Sequence, residues 1–205
     1  MAWIVKVGVS AYLTQSNMEN NATEFYGYFK GKGFTIESVA GMLGNLQQES
    51  NINPGMKQTA SAKSGWGLIQ WTPSSNLTDY AKAHGTDWAT GEIQTQLMWD
   101  EIINGYGGQW IPKPSKGYGY TGAEFSRLTD VAEACKAYLY ERERAGVAAL
   151  TKRLTYANNW YEYLAGVTPP TPPTPPTPPT PPTPTKRKRM PLWMMCRPLF
   201  SIEKR

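Results

Sequence analysis

Between Leu43 and Trp71 the chain reads L-G-N-L-Q-Q-E-S-N-I-N-P-G and then, after a short polar stretch, S-G-W-G-L-I-Q-W. The group in this segment best suited to chemistry is the carboxyl of Glu49. Val39, Met42, Leu43 and Leu46 recur at i, i+3, i+4 and i+7, the spacing of one buried helical face, and Glu49 continues that face inward. Asn53-Pro54-Gly55 stops the helix. Glu49 is therefore expected near the negative end of a helix dipole and among apolar neighbours, two influences that disfavour a charge. A carboxylic acid kept neutral near physiological pH is the group that protonates a departing sugar oxygen.

The second part, Gly65 to Thr72, reads as a short strand or hairpin. Its glycines allow close backbone approach, and its alternating bulky residues present one face to a cleft. A single carboxyl leaves open what assists it. Glu141 is the second candidate, on one helical face with Ala134 and Tyr138; the competing reading is a salt bridge to Arg142 or Arg144 that ties helices together. The one histidine, His84, and two separated cysteines do not make an ordinary zinc set, so neither metal nor cofactor is expected.

G-M-L-G-N-L-Q-Q-E-S-N-I-N-P-G at Gly41–Gly55, G-W-G-L-I-Q-W-T-P at Gly65–Pro73 and Y-E-R at Tyr140–Arg142 together resemble the phage tail lysozyme family, within the wider goose-type lysozyme and lytic transglycosylase pattern. The resemblance covers roughly residues 10 to 166. It implies a lysozyme-like fold, cleavage of the N-acetylmuramic acid to N-acetylglucosamine backbone of peptidoglycan, and Glu49 as general acid. Ser50, Gln70, Trp71, Thr72, Trp110 and Tyr140 are the expected substrate contacts. Ser50 either fixes the Glu49 carboxylate or caps its turn, and Gln70 bonds either backbone or an N-acetyl group. The family continues with Pro after the Y-E-R arginine, where this chain has Glu143. The biology implied is a lysin of the phage virion tail that penetrates the host cell wall, with phage tail proteins as partners. A lysis enzyme and a non-catalytic glycan-binding tail component are the alternatives, and hydrolase and transglycosylase stay equally open.

The whole chain of 205 residues carries a net charge of +5, yet residues 186–205 alone hold seven Lys/Arg and one Glu, a net of +6. The remainder is −1, so no basic groove for nucleic acid is implied. Cys135 falls on an apolar helical face and reads as an inert buried thiol rather than a bridge to Cys196. Met1–Leu13 lacks the apolar core of a signal peptide, and no segment has the length of a transmembrane span.

The elements that must position Glu49 can be read from punctuation and periodicity. Residues 1–15 read as an N-terminal arm and 16–166 as one α+β, mostly helical, lysozyme-like domain with a small β-hairpin. A capping box at Ser16–Glu19 opens a helix with Met18, Ala22, Phe25, Tyr26 and Phe29 on one face. The Glu49 helix starts after Thr35; further helices are expected at Leu77–Ala83, Glu92–Ile103, Thr129–Glu143 and Val147–Leu164, the last with a stripe of Leu150, Leu154, Ala157, Tyr161 and Leu164. Gly105–Gly122 is a long Gly-rich loop whose aromatics either rim the cleft or anchor the loop. Residues 167–185 repeat Thr-Pro-Pro, a polyproline II spacer on the order of 50 Å long. Residues 186–205 are a short basic tail suited to anionic wall polymer, a membrane surface or a virion partner.

A polyproline spacer holds the basic tail apart from any core. Removal of residues 168–205 is therefore expected to leave the thermal midpoint of residues 1–166 unchanged, as read by calorimetry; a drop of several degrees would mean that the tail packs on the domain.

Overall fold

The computed structural model describes residues 2–116, 118–144 and 149–166. The expected spacer at 167–185 and tail at 186–205 lie outside them, as does Cys196. The first helix, α1 (Gln15–Gly31), is capped by Thr14, whose hydroxyl accepts from the Asn17 amide, rather than by Ser16. Its buried face is the expected one: Met18, Ala22, Phe25, Tyr26 and Phe29 are all shielded. Thr35 caps α2 (Ile36–Ser50) through the Ser38 amide, and α2 ends where Asn51 turns into the left-handed conformation.

α2 is the axis of the domain. Every residue from Ser38 to Leu46 is buried, which no amphipathic helix at a surface could sustain; burial of each large apolar side chain here is worth about 1.5–3 kcal/mol. Against it pack α7 (Leu150–Ala165), α6 (Val131–Tyr138) and α1, while α4 (Gly91–Ile103) packs on α1 and carries α3 (Ser75–Ala83) and the short α5 (Gly122–Phe125). A π-helical turn, Leu139–Glu143, continues directly from α6, where a regular helix was expected. Such turns hold one residue more than an α turn and shift the helical phase of the residues beyond them.

The stripe on α7 differs by one position from expectation. The buried residues are Arg153, Ala157, Trp160 and Leu164, not the line through Leu150, Leu154 and Tyr161. The spacing is still helical, but its first member is an arginine, which a search for apolar periodicity skips. The expected start at Val147 lies outside the described residues.

The β component is small and built differently from a simple hairpin. Gly8–Val9 (β1) pairs in parallel with Met56–Lys57 (β2), so the N-terminal arm contributes a strand. Trp66 then forms antiparallel bridges with Lys57 and with Trp71, closing the tight turn at Gly67–Gln70. Asn53, fully buried, ties this end together: its amide nitrogen donates to the carbonyls of Lys6 and Ala11, and its oxygen accepts from the Lys6 and Gly55 amides. The loop from Gly105 to Gly122 carries short 3₁₀ turns at Tyr106–Gly108 and Pro114–Lys116.

Two glycines let α2 approach its neighbours. A Cβ on Gly41 would fall 2.6 Å from the Cys135 nitrogen, and one on Gly44 would fall 2.5 Å from the Arg153 carbonyl oxygen and 2.7 Å from the Ala157 Cβ. At an open helix position Gly→Ala gains roughly 1 kcal/mol. Here Gly44→Ala is expected to lose about 1–3 kcal/mol through overpacking, measured as a lower urea midpoint; a raised midpoint would show that α2 and α7 are not in contact at this point.

Candidate functional site

Glu49 occupies the last turn of α2, one step off the fully buried stripe, with 21% of its side chain exposed. It lies in a cleft of about 870 Å³, lined also by Gln47, Gln70, Trp71, Thr72, Glu143 and Arg153 among others. Its surroundings are not the apolar ones expected. Arg153 Nη2 donates to Glu49 Oε1 at 2.5 Å, and this guanidinium is almost wholly buried, at 2%. A buried cation without compensation is costly, and Arg153 is compensated twice on α2: by Glu49 and by Asn45, whose Oδ1 accepts from Nη1 at 3.0 Å. Asn45 in turn donates to the carbonyls of Gly41 and Cys135 at 2.9 and 3.1 Å. The carboxylate is thus the outer end of a hydrogen-bonded chain running from α6 through α2 to α7.

The floor of the cleft rests on a second polar knot. Glu101, 2% exposed on α4, accepts from Trp71 Nε1 at 2.9 Å through one oxygen. Its other oxygen accepts from Arg142 Nε and Nη2 at 2.9 and 2.8 Å. Burial still pushes the Glu101 carboxyl up, against the opposing pull of Arg142 and the Trp71 hydrogen bond. Three elements meet here: α4, the turn before α3 and the π turn.

Of the expected site residues, Glu49, Gln70, Trp71 and Thr72 line this one cleft. Gln70 Nε2 donates to the Gly67 carbonyl at 2.8 Å, and Thr72 Oγ1 to that of Gln70 at 3.0 Å. Trp71 is 2% exposed, so it is a wall component held by Glu101 rather than an open stacking face.

Ser50, Trp110, Tyr140 and Glu141 are not among the residues lining the cleft. Ser50 is buried and donates to the Leu46 carbonyl at 3.2 Å within its own helix, the turn-capping alternative. Trp110 packs against Phe125 at 4.8 Å between centroids and donates to the Tyr120 carbonyl at 2.9 Å. Tyr140 stacks on Tyr118 at 5.3 Å. The loop's aromatics therefore anchor it to the body. Glu141 belongs to the same anchorage: it is fully buried, and its Oε1 accepts from the Tyr120 and Lys113 amides at 2.8 and 3.4 Å. Neither of the expected salt bridges forms at Glu141; Arg142 goes to Glu101 instead.

The cleft residues that periodicity and motif did not mark as part of the site are Glu143 and Arg153, and Arg142 meets a different acid, Glu101, from the one expected. Glu143 and Arg142 sit on the π turn, whose extra residue breaks the helical phase. Arg153 interacts across 104 positions of sequence. Glu143, partly exposed, has its carboxyl raised to about 8, first by burial and then by the charge of Glu49. Among lining residues the cleft holds Lys57, Arg142, Arg144, Lys152 and Arg153 against Glu49 and Glu143, so it is electropositive within a part of the chain that is nearly neutral. Cys135 is a free, fully buried thiol pushed up to about 12 by burial, as its apolar position implied.

The family described as phage tail lysozyme matches residues 20–164. Morphogenesis protein 1 of Bacillus phage B103 is 32% identical over 161 residues, covering 77% of this chain and 42% of that protein. The chain thus spans less than half the length of this relative.

Burial pushes the Glu141 carboxyl up to about 7, with its two backbone hydrogen bonds acting in the opposite direction. Between the unfolded value of about 4.3 and about 7 the folded state keeps a proton that the unfolded state has released. Stability contributed by this group is full below that window and is lost as pH rises through it. Glu141→Gln is expected to flatten the fall in thermal midpoint between pH 5 and pH 8, followed by calorimetry; a fall as steep as that of the parent would show that another group carries it.

Proposed function

This chain belongs to the phage tail lysozyme family, and from that premise we propose that it cleaves the glycan backbone of peptidoglycan between N-acetylmuramic acid and N-acetylglucosamine, with Glu49 as the proton donor. The observation that carries this reading is a part-exposed carboxyl in a polar cleft, fixed by a buried guanidinium. Arg153 and Asn45 remove its freedom to rotate away, and pre-organisation of this kind is worth most where a proton must be delivered to one oxygen.

The cleft's charge fits the substrate class. Peptidoglycan strands carry carboxylates on their peptide branches, and an electropositive groove raises the local concentration of such a polymer. Gln47, Gln48, Gln70 and Asn76 along the same lining supply donors and acceptors for hydroxyl and acetamido groups. The domain responsible is the one from residue 16 to residue 166, a span supported by the family match. The relative's printed description, a phage morphogenesis protein, supports a role in the virion, where the lysin opens the host wall from the tail. Among the described residues no helix is long and apolar enough to cross a membrane, and nothing in the proposed chemistry requires a cofactor.

Glu49→Gln is isosteric and still accepts a hydrogen bond from Arg153, but it has no acidic proton to give. Its lytic rate on purified sacculi is expected to fall by about 10²- to 10⁴-fold; its melting midpoint also drops, because the buried Arg153 loses its counter-charge, so rates are compared at a temperature where circular dichroism shows both proteins folded. Activity within a few-fold of the parent would reject Glu49 as the donor, and wild-type protein that binds sacculi without releasing muropeptides would reject catalysis in favour of glycan binding. Mass spectrometry of the released muropeptides separates reducing ends from 1,6-anhydro ends, and with them hydrolase from transglycosylase.

A further inference from the structure

Cleavage by a single donor leaves a second proton unaccounted for. When the glycosidic C1–O bond breaks, the bonding pair leaves with the oxygen, which takes the donor's proton. C1 is then captured by the lone pair of an attacking oxygen, from water or from the sugar's own 6-hydroxyl, and that oxygen must lose a proton. A site with two carboxyl groups and one proton satisfies both demands: one group gives, the other accepts, and the pair ends with the single proton it began with.

The geometry points to Glu143 as the second carboxyl of this site: it holds the proton in the free enzyme beside the Arg153-paired Glu49, passes it through Glu49 to the departing oxygen, and, now ionised, accepts the proton of the attacking hydroxyl. The inference rests on the proposed role of Glu49. Four observations support it. Glu143 and Glu49 line the same cleft. The π turn Leu139–Glu143 sends Arg142 to the Glu101 knot and leaves Glu143 on the cleft side; π turns recur where a side chain must be aimed off the regular helical phase. Glu143 Oε1 is buried without a hydrogen-bond partner among the described residues, an arrangement that suits a neutral carboxyl better than a carboxylate. Last, the two acids repel: the carboxyl of Glu143 is raised by burial and then by the Glu49 charge, which makes the second ionisation of the pair late.

The charged groups around Glu143 act in both directions. Arg142 beside it and Arg153 from α7 favour its ionised form, while Glu49 from α2 and Glu101 from α4 oppose it. Arg144, the next residue, and the buried Tyr138 hydroxyl also interact with its charge. The two arginines keep the site from needing two protons, and the two acids keep it from losing both. Glu101 is already committed to Arg142 and Trp71, so it is not available to the substrate.

The test is the pH dependence of the lytic rate of the full chain on purified sacculi for wild type, Glu143→Gln, Glu143→Asp and Glu49→Gln, each checked for folding by circular dichroism. Glu143→Gln is expected to lower the maximal rate by about 10²-fold and to move the alkaline limb of the profile to lower pH, because the carboxyl whose ionisation is delayed by burial is gone. Glu143→Asp keeps a second acid, so its alkaline limb stays nearer the wild-type position at a reduced rate. A Glu143→Gln profile that superimposes on wild type, alongside an inactive Glu49→Gln, overturns the assignment of Glu143 alone. An active Glu49→Gln overturns the reading beneath it. If Glu143→Gln does not fold, the Glu143→Asp profile carries the test, and a limb unmoved with an undiminished rate rejects the role.

Discussion

A guanidinium taken almost entirely out of water must be met by acceptors, and the burial of Arg153 is the constraint that sets the geometry of this domain. Its partners, Asn45 and Glu49, lie one helical turn apart on α2. An arginine fork that satisfies both fixes the rotation and the register of α7 against α2 together, because a slip by one residue would leave a charge stranded at a cost of several kcal/mol. The close approach at Gly44 completes the arrangement: with no side chain there, α7 comes near enough for the fork to reach. Stability and the shape of the cleft thus draw on the same contact. The carboxyl group that faces the cleft is also the one that keeps a buried cation from being unpaired.

How much of this was legible in the sequence depends on the distance over which each residue acts. The α2 face was readable because Val39, Met42, Leu43 and Leu46 carry their period within one helix, and the resemblance held by Gly41–Gly55 and Gly65–Pro73 is upheld by the family match over residues 20–164. The mostly helical α+β lysozyme-like fold was readable for the same reason, since each helix announces itself by local spacing and caps. Arg153 was not readable. In a periodic scan it looks like a solvated position, and its partners on α2 lie more than a hundred residues upstream. Glu143 was hidden by the π turn, which leaves the helix ladder by one residue at a place where nothing in composition marks the change. Glu141, chosen by helical phase from Ala134 and Tyr138, shows the opposite error: the phase put it inward correctly, but what it meets there is the backbone of the loop, not a substrate groove.

The aromatic content of the chain shows a similar division between type and role. Tyrosine and tryptophan suit carbohydrate faces, yet Trp71, Trp110, Tyr118, Tyr120 and Tyr140 are used here chiefly as joints. Each of the first two tips a ring nitrogen into a buried acceptor, Glu101 or the Tyr120 carbonyl, and Tyr120 donates its hydroxyl to Glu133 at 2.6 Å. An amphipathic ring is valuable at such joints because it fills volume while satisfying a polar partner. Among the described residues, the aromatics that line the cleft beside Trp71 are Tyr12, 64% exposed, and Tyr156.

The π turn has a consequence for how the chain accommodates changes in its own length. A five-residue loop of helix spends one residue more than an α turn, so the surplus is stored locally, between α6 and the segment leading to α7. Deleting that surplus would restore a regular helix and rotate everything after it by about 100°, a single residue's angular step, taking Arg142 and Glu143 away from their present directions at once. Aligned by identity alone, such a deletion would register as a one-residue gap with every neighbouring letter preserved. The position most easily dismissed in a comparison of sequences is thus the one at which two side chains of the cleft are aimed.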